Sequence, residues 1–427
     1  MTAPIHFEDG LPHLTTRRRT LACGLELVVH EDPASPQIGV SVWYRVGSTD
    51  ERSDRTGFAH LFEHLFKSPP ERLGGHHYEV LKRAGATEAN AATSADRTSY
   101  HEVVPAHQLP LALWLESDRM GYFAPAFGVD RLVAQQAVVR SERRQRYENV
   151  AYGAEGFAVG LALYPEGHPQ RHGTIGRHED IQAATVDDVL DFYRTWYVPA
   201  NATLVIAGDV PPDLDDQVER YFGSFPRSHR PARPIAIAPP PAPHRTEVTD
   251  RFAALGRIHR AWLGPRALDP GDAELDILTT SWCATGTGSL WRRLVYETQL
   301  AQRVSAWTVN GRLGGETHVA VDLRTGADPG AVRAILDEEC AKGADARAIE
   351  RAVTRREAGT IWSLSTILRR VSLIQRGMLY ANDPDALATE LARYREITPA
   401  DVEASRAQWL TPGSCVEVTT VPASRPA

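Results

Sequence analysis

The sequence predicts two domains, each an α/β or α+β unit, and three observations carry this prediction. The chain has 427 residues, about three times the usual length of a single domain. Stretches with strand character alternate with amphipathic helices in both halves. A proline-rich segment at residues 225–245 can form neither a helix interior nor a central strand. We therefore predict domains at residues 1–224 and 246–427, joined by this linker.

The individual elements follow from local patterns, because β-branched runs predict strands and apolar residues at helical spacing predict helices. The predicted strands of the first half are Leu25–His30, Ile38–Tyr44 and Asn201–Asp209. Its predicted helices are Thr56–Phe66, Gln108–Phe123 and Val129–Tyr147. In the second half we predict a strand at His318–Leu323 and helices at Ser289–Glu297, Gly330–Lys342, Ala348–Arg369 and Pro399–Trp409.

Composition excludes several classes of protein. Hydrophobic residues make up 42% and charged residues 24% of the chain, which is typical of a soluble globular protein. The net charge of −7 and the lack of long basic runs argue against nucleic acid as a partner. No apolar run is long enough to span a membrane, and the first residues lack the pattern of a signal peptide. We expect a cytoplasmic protein, and a periplasmic one if a signal has been trimmed.

The motif that indicates a catalytic function is His60-Leu61-Phe62-Glu63-His64. On a helix, histidines four residues apart lie on one face and can share a metal ion. Glu63 lies at the edge of that face, where a carboxylate can act as a general base toward a metal-activated water. This is the inverted HxxEH order of zinc peptidases. A helix that merely carries two surface histidines is the alternative.

A third metal ligand should come from another helix. The segment Val138–Asn149 offers Glu142 and Glu148. Both lie among arginines, which is also the pattern of a solvated face with salt bridges. Elsewhere, His76 and His77 follow two glycines, and we expect both in a flexible, solvated turn.

Several ordered motifs together resemble the M16 (pitrilysin-like) zinc metallopeptidases, and more narrowly the short M16B peptidases, bacterial relatives of the mitochondrial processing peptidase. The similarity covers nearly all of residues 20–225 and, more loosely, the second half. The motifs are His60–Lys67, Asn90–Ser94 with Asp96–Thr98, Leu115–Met120, Val138–Arg144, Tyr164–Pro169 and Tyr197–Asp209.

The resemblance implies an α+β fold of two similar α/β-sandwich domains (LuxS/MPP-like metallohydrolase type). Their antiparallel-rich sheets are flanked by helices, and two chains form a clam-shell dimer around a chamber. It implies one Zn²⁺ per chain, held by His60, His64 and Glu142, with Glu63 as the general base. The implied activity is that of a metalloendopeptidase acting on peptides or unfolded segments small enough to enter the chamber.

Two further features of the first domain follow from the resemblance. The stretch Ala89–Thr93, with Asn90, Ala91 and Ala92, corresponds to an edge strand to which a peptide substrate adds by main-chain hydrogen bonds; an ordinary edge strand is the alternative. Family members tend to carry a glutamate seven residues before the distal ligand, and here that position is Gln135. An amide can still hydrogen-bond near the metal but contributes no charge.

The second half lacks two residues that active members of the family carry. Active members carry an arginine and, seven residues later, a tyrosine that stabilise the oxyanion. Val295 and Gln302 occupy these two places, and neither can do that job. Arg293, Tyr296 and Arg303 lie nearby and would serve only after a register shift.

We therefore expect the zinc-bearing subunit of a heterodimer, whose homologous M16B partner supplies the Arg/Tyr pair. A self-sufficient homodimeric processing peptidase is one alternative. A structural or assembly subunit that keeps the fold without the activity is another, and the intact set of four site residues argues against it.

Overall fold

The computed structural model describes residues 3–67, 77–233 and 235–423. Its strands are β1 (Ile5–Glu8), β2 (Leu11–Leu14), β3 (Arg17–Thr20), β4 (Glu26–Glu31), β5 (Gln37–Tyr44), β6 (Glu88–Thr93), β7 (Thr98–Pro105), β8 (Ala202–Gly208), β9 (His244–Asp250), β10 (Arg257–Gly264), β11 (Ala301–Asn310), β12 (Gly315–Leu323) and β13 (Val416–Pro422).

The α-helices of the described residues are α1 (Phe58–Lys67), α2 (His77–Arg83), α3 (Leu109–Gly121), α4 (Val129–Arg143), α5 (Glu155–Leu163), α6 (His178–Ala183), α7 (Val186–Trp196), α8 (Leu214–Phe222), α9 (Asp272–Cys283), α10 (Ser289–Trp291), α11 (Pro329–Cys340), α12 (Ala346–Ser363), α13 (Ile367–Tyr380), α14 (Ala386–Glu396) and α15 (Pro399–Trp409). Helices α4 and α10 each run on into a π-helical turn. No helix of the described residues combines the length and the apolar character needed to cross a membrane.

The chain divides into two compact units that are interleaved in sequence. The first contains the described residues up to Ser141, those from Thr174 to the proline-rich segment, and Thr360–Glu390. The second contains Glu142–Gly173, Ile235–Gly359 and the described residues from Leu391 onward. Residues 226–233 and 235–243 form neither helix nor strand, as their proline content predicts. The continuous domains at residues 1–224 and 246–427 stay a prediction.

The first unit is built on a six-stranded sheet in the order β3-β4-β8-β5-β7-β6. Only the β4–β8 pair is parallel among its described pairs. Helices cover both faces of this sheet. Gly39 of β5 lies against Ile367 of α13, whereas Tyr44 of the same strand contacts Phe66 of α1. Because side chains alternate along a strand, these contacts place α13 and α1 on opposite faces.

The second unit repeats this architecture on a five-stranded sheet in the order β11-β12-β10-β13-β9. Trp262 and Val321 face a large core shared with α9, α11 and α15. Ala261 and Val418 face the smaller core formed with α5. Each unit is thus a sheet between layers of helices, which confirms the predicted α+β fold. The clam-shell dimer stays a prediction.

Local sequence patterns predicted the boundaries of several elements accurately. The predicted helix Pro399–Trp409 agrees with α15 at both ends, and Ile38–Tyr44 agrees with β5 to within one residue. The single helix predicted over Ala348–Arg369 is wrong. The chain forms α12 and α13 instead, because Thr366 begins the second helix by accepting a hydrogen bond from the Arg369 amide at 3.4 Å.

Candidate metal centre

Helix α1 is fixed in rotation by its apolar face. Leu61, Phe62, Leu65 and Phe66 are all buried in the first unit. The Phe62 ring stacks on Tyr197 with centroids 4.5 Å apart, and the Phe66 ring lies 5.6 Å from that of Tyr100. This aromatic packing leaves the remaining edge of the helix to His60, Glu63 and His64.

Both ends of α1 are anchored by side chains from elsewhere in the first unit. The Glu51 carboxylate accepts the backbone N–H groups of Gly57 at 2.7 Å and Ala59 at 2.8 Å. A carboxylate in this position satisfies the unpaired N–H groups that begin a helix and opposes its dipole. Burial raises the pKa of Glu51 well above that of an ordinary glutamate, against the effect of these two bonds.

His77 anchors the other end of the helix. Its Nδ1 lies 2.8 Å from the carbonyl oxygen of Phe66, and the side chain is buried. The solvated turn expected for His77 is therefore wrong, because the residue opens α2 and packs against the end of α1. His76 lies outside the described residues.

Helix α1 brings His60, Glu63 and His64 together. One potential ligand atom from each lies within 4.8 Å of the other two, and the His60 and His64 rings are 4.8 Å apart at their centroids. His60 and Glu63 are buried, and His64 is half-buried. Two imidazoles and a carboxylate converging at a partly buried point form a donor set that fits Zn²⁺.

The Glu63 carboxylate is held by both of its oxygens. Oε1 accepts a hydrogen bond from the Lys67 ammonium, one helical turn away, and Oε2 accepts one from the Thr93 hydroxyl at 2.8 Å. Burial acts to raise the pKa of Glu63, but the Lys67 charge, the nearby His60 and the Thr93 bond outweigh it. The pKa therefore lies below the usual value of a glutamate, and the group is an anion near neutral pH.

The stretch expected to bind substrate forms β6, which is an edge strand of the described sheet. It pairs with β7 in antiparallel register, with Asn90 opposite His101. Asn90 and Ala92 are exposed and Ala91 is buried, so one face of the strand is turned to solvent. An edge strand beside the histidine pair has the geometry that β-strand addition requires.

Two other predicted site residues lie on α4. Gln135 is half-buried, and Glu142 lies one residue before the last residue of the helix. The Glu142 side chain is 16% exposed and forms an ion pair with Arg146 at 3.1 Å. Glu142 is the first residue of the segment Glu142–Gly173, which belongs to the second compact unit. The role of Glu142 as the distal ligand stays a prediction, as does the role of Gln135 near the metal.

In the second unit, Val295 and Gln302 stand at the two positions expected for the Arg/Tyr pair. Val295 packs against the large core, and Gln302 is exposed at an irregularity between β11 and β12. The nearby Arg293 binds Glu338 and Glu339 at 2.7 Å each, and Arg303 binds Asp322 at 3.0 Å. Both arginines are thus engaged in ion pairs within the unit.

Three contacts of this site were missed at the sequence level: those made by Glu51, Lys67 and Thr93. The spacing of Glu63 and Lys67, four residues apart on a helix, was a readable signal for an ion pair. The hydrogen bonds of Glu51 and Thr93 join helix α1 to a loop residue and to a residue of a strand, and no local sequence pattern predicts them.

Two family models match the chain. The model described as insulinase (peptidase family M16) matches residues 26–150, which include His60, Glu63 and His64. The model of the peptidase M16 inactive domain matches residues 183–355. The chain belongs to the M16 peptidase family.

Curated M16 relatives include named zinc proteases. The chain is 35% identical over 210 residues to zinc protease PqqE of Helicobacter pylori, a match that covers 49% of this chain and 46% of the relative. It is 25% identical over 413 residues to an uncharacterised zinc protease of Streptomyces coelicolor, covering 91% of this chain and 86% of that protein. The match to PqqE thus spans about half of each protein. These relatives support a peptidase function in general terms.

Solved M16 structures have the same fold. A protease from Helicobacter pylori superposes with a TM-score of 0.88 at 23% identity, over 96% of this chain and 99% of that one. A structure described as a peptidase M16 inactive domain from Pseudomonas fluorescens gives 0.84 at 16% identity, over 97% and 99%. At these identities the similarity establishes the two-domain α+β architecture and nothing finer.

Proposed function

We propose that this chain is a zinc-dependent endopeptidase of the M16B type that cleaves peptides or unfolded segments, acting as the zinc-bearing subunit of a heterodimer. The observation that carries the proposal is the convergence of His60, Glu63 and His64 within 4.8 Å beside an exposed edge strand. A helix with two unrelated surface histidines would have neither the buried carboxylate nor the adjacent strand.

His60, His64 and Glu142 would hold one zinc ion per chain. When bound, zinc would supply Lewis acidity that polarises a peptide carbonyl and activates water. Glu63 takes a proton from the attacking water and returns it to the leaving amine. The Lys67 ammonium and the Thr93 hydroxyl keep this carboxylate ionised and oriented for that task.

Strand β6 would position the scissile bond. An extended peptide adds to its free edge through main-chain hydrogen bonds at Asn90, Ala91 and Ala92. Backbone pairing selects an extended conformation rather than a particular side chain, and a folded protein cannot offer such a strand. The small side chains of Ala91 and Ala92 leave space for residues of the incoming peptide.

Two residues of the second unit support the proposed heterodimer. Val295 is apolar and Gln302 carries no charge, and the neighbouring Arg293 and Arg303 are bound to carboxylates. A homologous subunit with an arginine and a tyrosine at these two places would complete oxyanion stabilisation.

The test is cleavage of a mixed set of quenched fluorescent peptides, with the zinc content measured on the same sample and Glu63→Gln as the control. The chain is assayed alone and together with an M16B subunit that carries the Arg/Tyr pair. We expect zinc near one per chain and Glu63-dependent cleavage only in the mixture. Cleavage by the chain alone would instead establish a self-sufficient peptidase and contradict the need for a partner. Absence of cleavage in both samples would point to a structural subunit.

A further inference from the structure

The exposed edge strand and the proposed base are joined by a single hydrogen bond. Thr93 is the last residue of β6, and its hydroxyl donates to Glu63 Oε2 at 2.8 Å. The other oxygen, Oε1, is bound by Lys67 from within α1. One oxygen is therefore fixed by the helix that carries the histidines, and the other by the strand proposed to bind substrate.

The turn that follows Thr93 is clamped against the segment after β5. The amides of Ser48 and Thr49 donate to the carbonyl oxygens of Ser94 and Ala95 at 3.1 and 3.0 Å. Gly47 lies so close to this turn that a Cβ atom there would be 2.3 Å from both carbonyl oxygens. Such contact permits almost no displacement of the end of β6.

A residue of the proline-rich segment completes the clamp. The Arg233 guanidinium binds both carboxylate oxygens of Asp50, at 2.9 and 2.6 Å, and donates to the Asp96 carbonyl oxygen at 3.1 Å. Its side chain is 11% exposed and that of Asp50 is fully buried. A two-point arginine–carboxylate contact in a buried position is geometrically rigid. The turn that follows Thr93 is thus held both by the Ser48 and Thr49 amides and by Arg233.

We propose that Thr93 is a positioning residue for the base: its hydroxyl fixes the Glu63 carboxylate to the end of β6, so that one strand sets both the base and the paired peptide. The inference rests on the proposed function. Hydrogen bonds to charged groups are strong, and a carboxylate held only at the oxygen that Lys67 binds would be freer to rotate about its terminal torsion. Loss of the hydroxyl should therefore slow the chemical step without weakening peptide binding.

The experiment compares Thr93→Val, which keeps the β-branched shape and loses the hydroxyl, with Thr93→Ser, which keeps the hydroxyl. In the active enzyme, with its partner subunit if required, we expect Thr93→Val to lower kcat by about 10- to 100-fold. KM should stay within about twofold of the wild type, because backbone pairing at β6 is untouched. Thr93→Ser should restore most of kcat.

Zinc affinity separates positioning of the base from a role in the integrity of the metal centre, and a stability measurement tests the Thr93–Glu63 bond itself. Zinc affinity, from chelator competition, should be equal in the wild type and in Thr93→Val, because the proposed ligands are unchanged. A double-mutant cycle of Thr93→Val with Glu63→Ala, which removes both carboxylate oxygens, is read as urea unfolding of the full chain and should show coupling between the two side chains whether or not the chain is active.

Distinct outcomes would overturn the inference. An active wild type whose kcat is unaffected by Thr93→Val would contradict the positioning role and leave the proposed function standing. A loss of kcat accompanied by a matching loss of zinc affinity would assign Thr93 to the integrity of the metal centre instead. A wild type that cleaves nothing, with or without a partner, would contradict both proposals.

Discussion

Each unit of this protein contains a close pair of histidines, and the two pairs are built in opposite ways. His60 and His64 come from one helix, one turn apart, with ring centroids 4.8 Å apart. His259 and His318 come from neighbouring strands, 59 residues apart in sequence, with ring centroids 5.2 Å apart. Both pairs have carboxylates beside them, so residue type alone does not separate them.

The two pairs differ in the contacts that their ring nitrogens make. His259 Nε2 lies 3.1 Å from His318 Nδ1, so each inner ring nitrogen is in close contact with the other. The outer nitrogens face glutamates: His259 Nδ1 is 2.6 Å from Glu155, and His318 Nε2 is 2.9 Å from Glu316. All four ring nitrogens are occupied inside the second unit. Among the described residues, only the helical pair belongs to a group of three potential metal ligands.

The comparison teaches that convergence of three potential donor atoms on one point, rather than closeness of two rings, distinguishes a candidate metal site from a structural histidine pair. In the second unit, the Glu155 carboxylate also accepts a hydrogen bond from Thr420 at 2.8 Å, and Glu316 accepts one from Tyr164 at 2.7 Å. This network ties α5 to the sheet. We infer that its role is to hold the second unit together.

The largest expected effect comes from removing one histidine of each pair. His60→Gln should lower zinc affinity on the order of 1000-fold, because one ligand accounts for roughly a quarter of a binding free energy of about 16 kcal/mol. The matched control, His318→Gln, should leave zinc affinity unchanged. Affinity is measured by competition with a chromogenic chelator. Equal losses in the two variants would mean that the comparison is wrong.

The next effect concerns stability. Glu155→Ala leaves His259 and Thr420 without their buried acceptor, and it should lower the free energy of unfolding by about 3 kcal/mol. Urea denaturation of the full chain measures this loss, and zinc affinity should be unaffected. The exposed Glu166 in the same unit offers a control, since Glu166→Ala should change little. A Glu155→Ala variant as stable as the wild type would contradict the inference that this network holds the second unit together.

A smaller effect is expected at the start of α1. Glu51→Ala removes the acceptor of two backbone N–H groups and should lower the free energy of unfolding by about 1 to 2 kcal/mol. Replacing the exposed Glu88 with alanine should cost far less. Circular dichroism during thermal unfolding measures both variants. If the two losses are equal, Glu51 does not anchor the helix.

How far the sequence predicted these features depended on whether their contacts are local. The histidine pair of α1 was readable because its spacing and the apolar stripe lie within one helix. The pair in the second unit could not be read, because the register of β10 and β12 brings together residues 59 positions apart. The edge position of β6 and the bond between Thr93 and Glu63 also depend on strand order, which local periodicity does not encode.

The end of helix α12 illustrates a different reason for failure. Apolar periodicity continues from α12 into α13, so the pattern predicts a single helix. The break at Leu364–Thr366 is set by the Thr366 cap and by packing of α13 against the sheet of the first unit. Tertiary packing there overrides a continuous helical pattern.

The smallest effect is a pH dependence that should separate the buried pair from surface histidines. Burial lowers the pKa of His259, and the charges of His318 and Arg257 act in the same direction, against the effect of the hydrogen bond that the ring donates to Glu155. In the unfolded chain the imidazole titrates near about 6.5. The unfolded state therefore binds more protons as the pH falls below that value, and stability is lost on acidification.

We expect the wild type to lose on the order of 1 kcal/mol more stability than His259→Gln between about pH 7.5 and about pH 5.5. Urea unfolding at several pH values measures the two slopes. His107→Gln, at an exposed position, should keep the slope of the wild type. A His259→Gln variant with the wild-type slope would show that His259 does not titrate differently on folding. The contrast between the two histidine pairs would then rest on geometry alone.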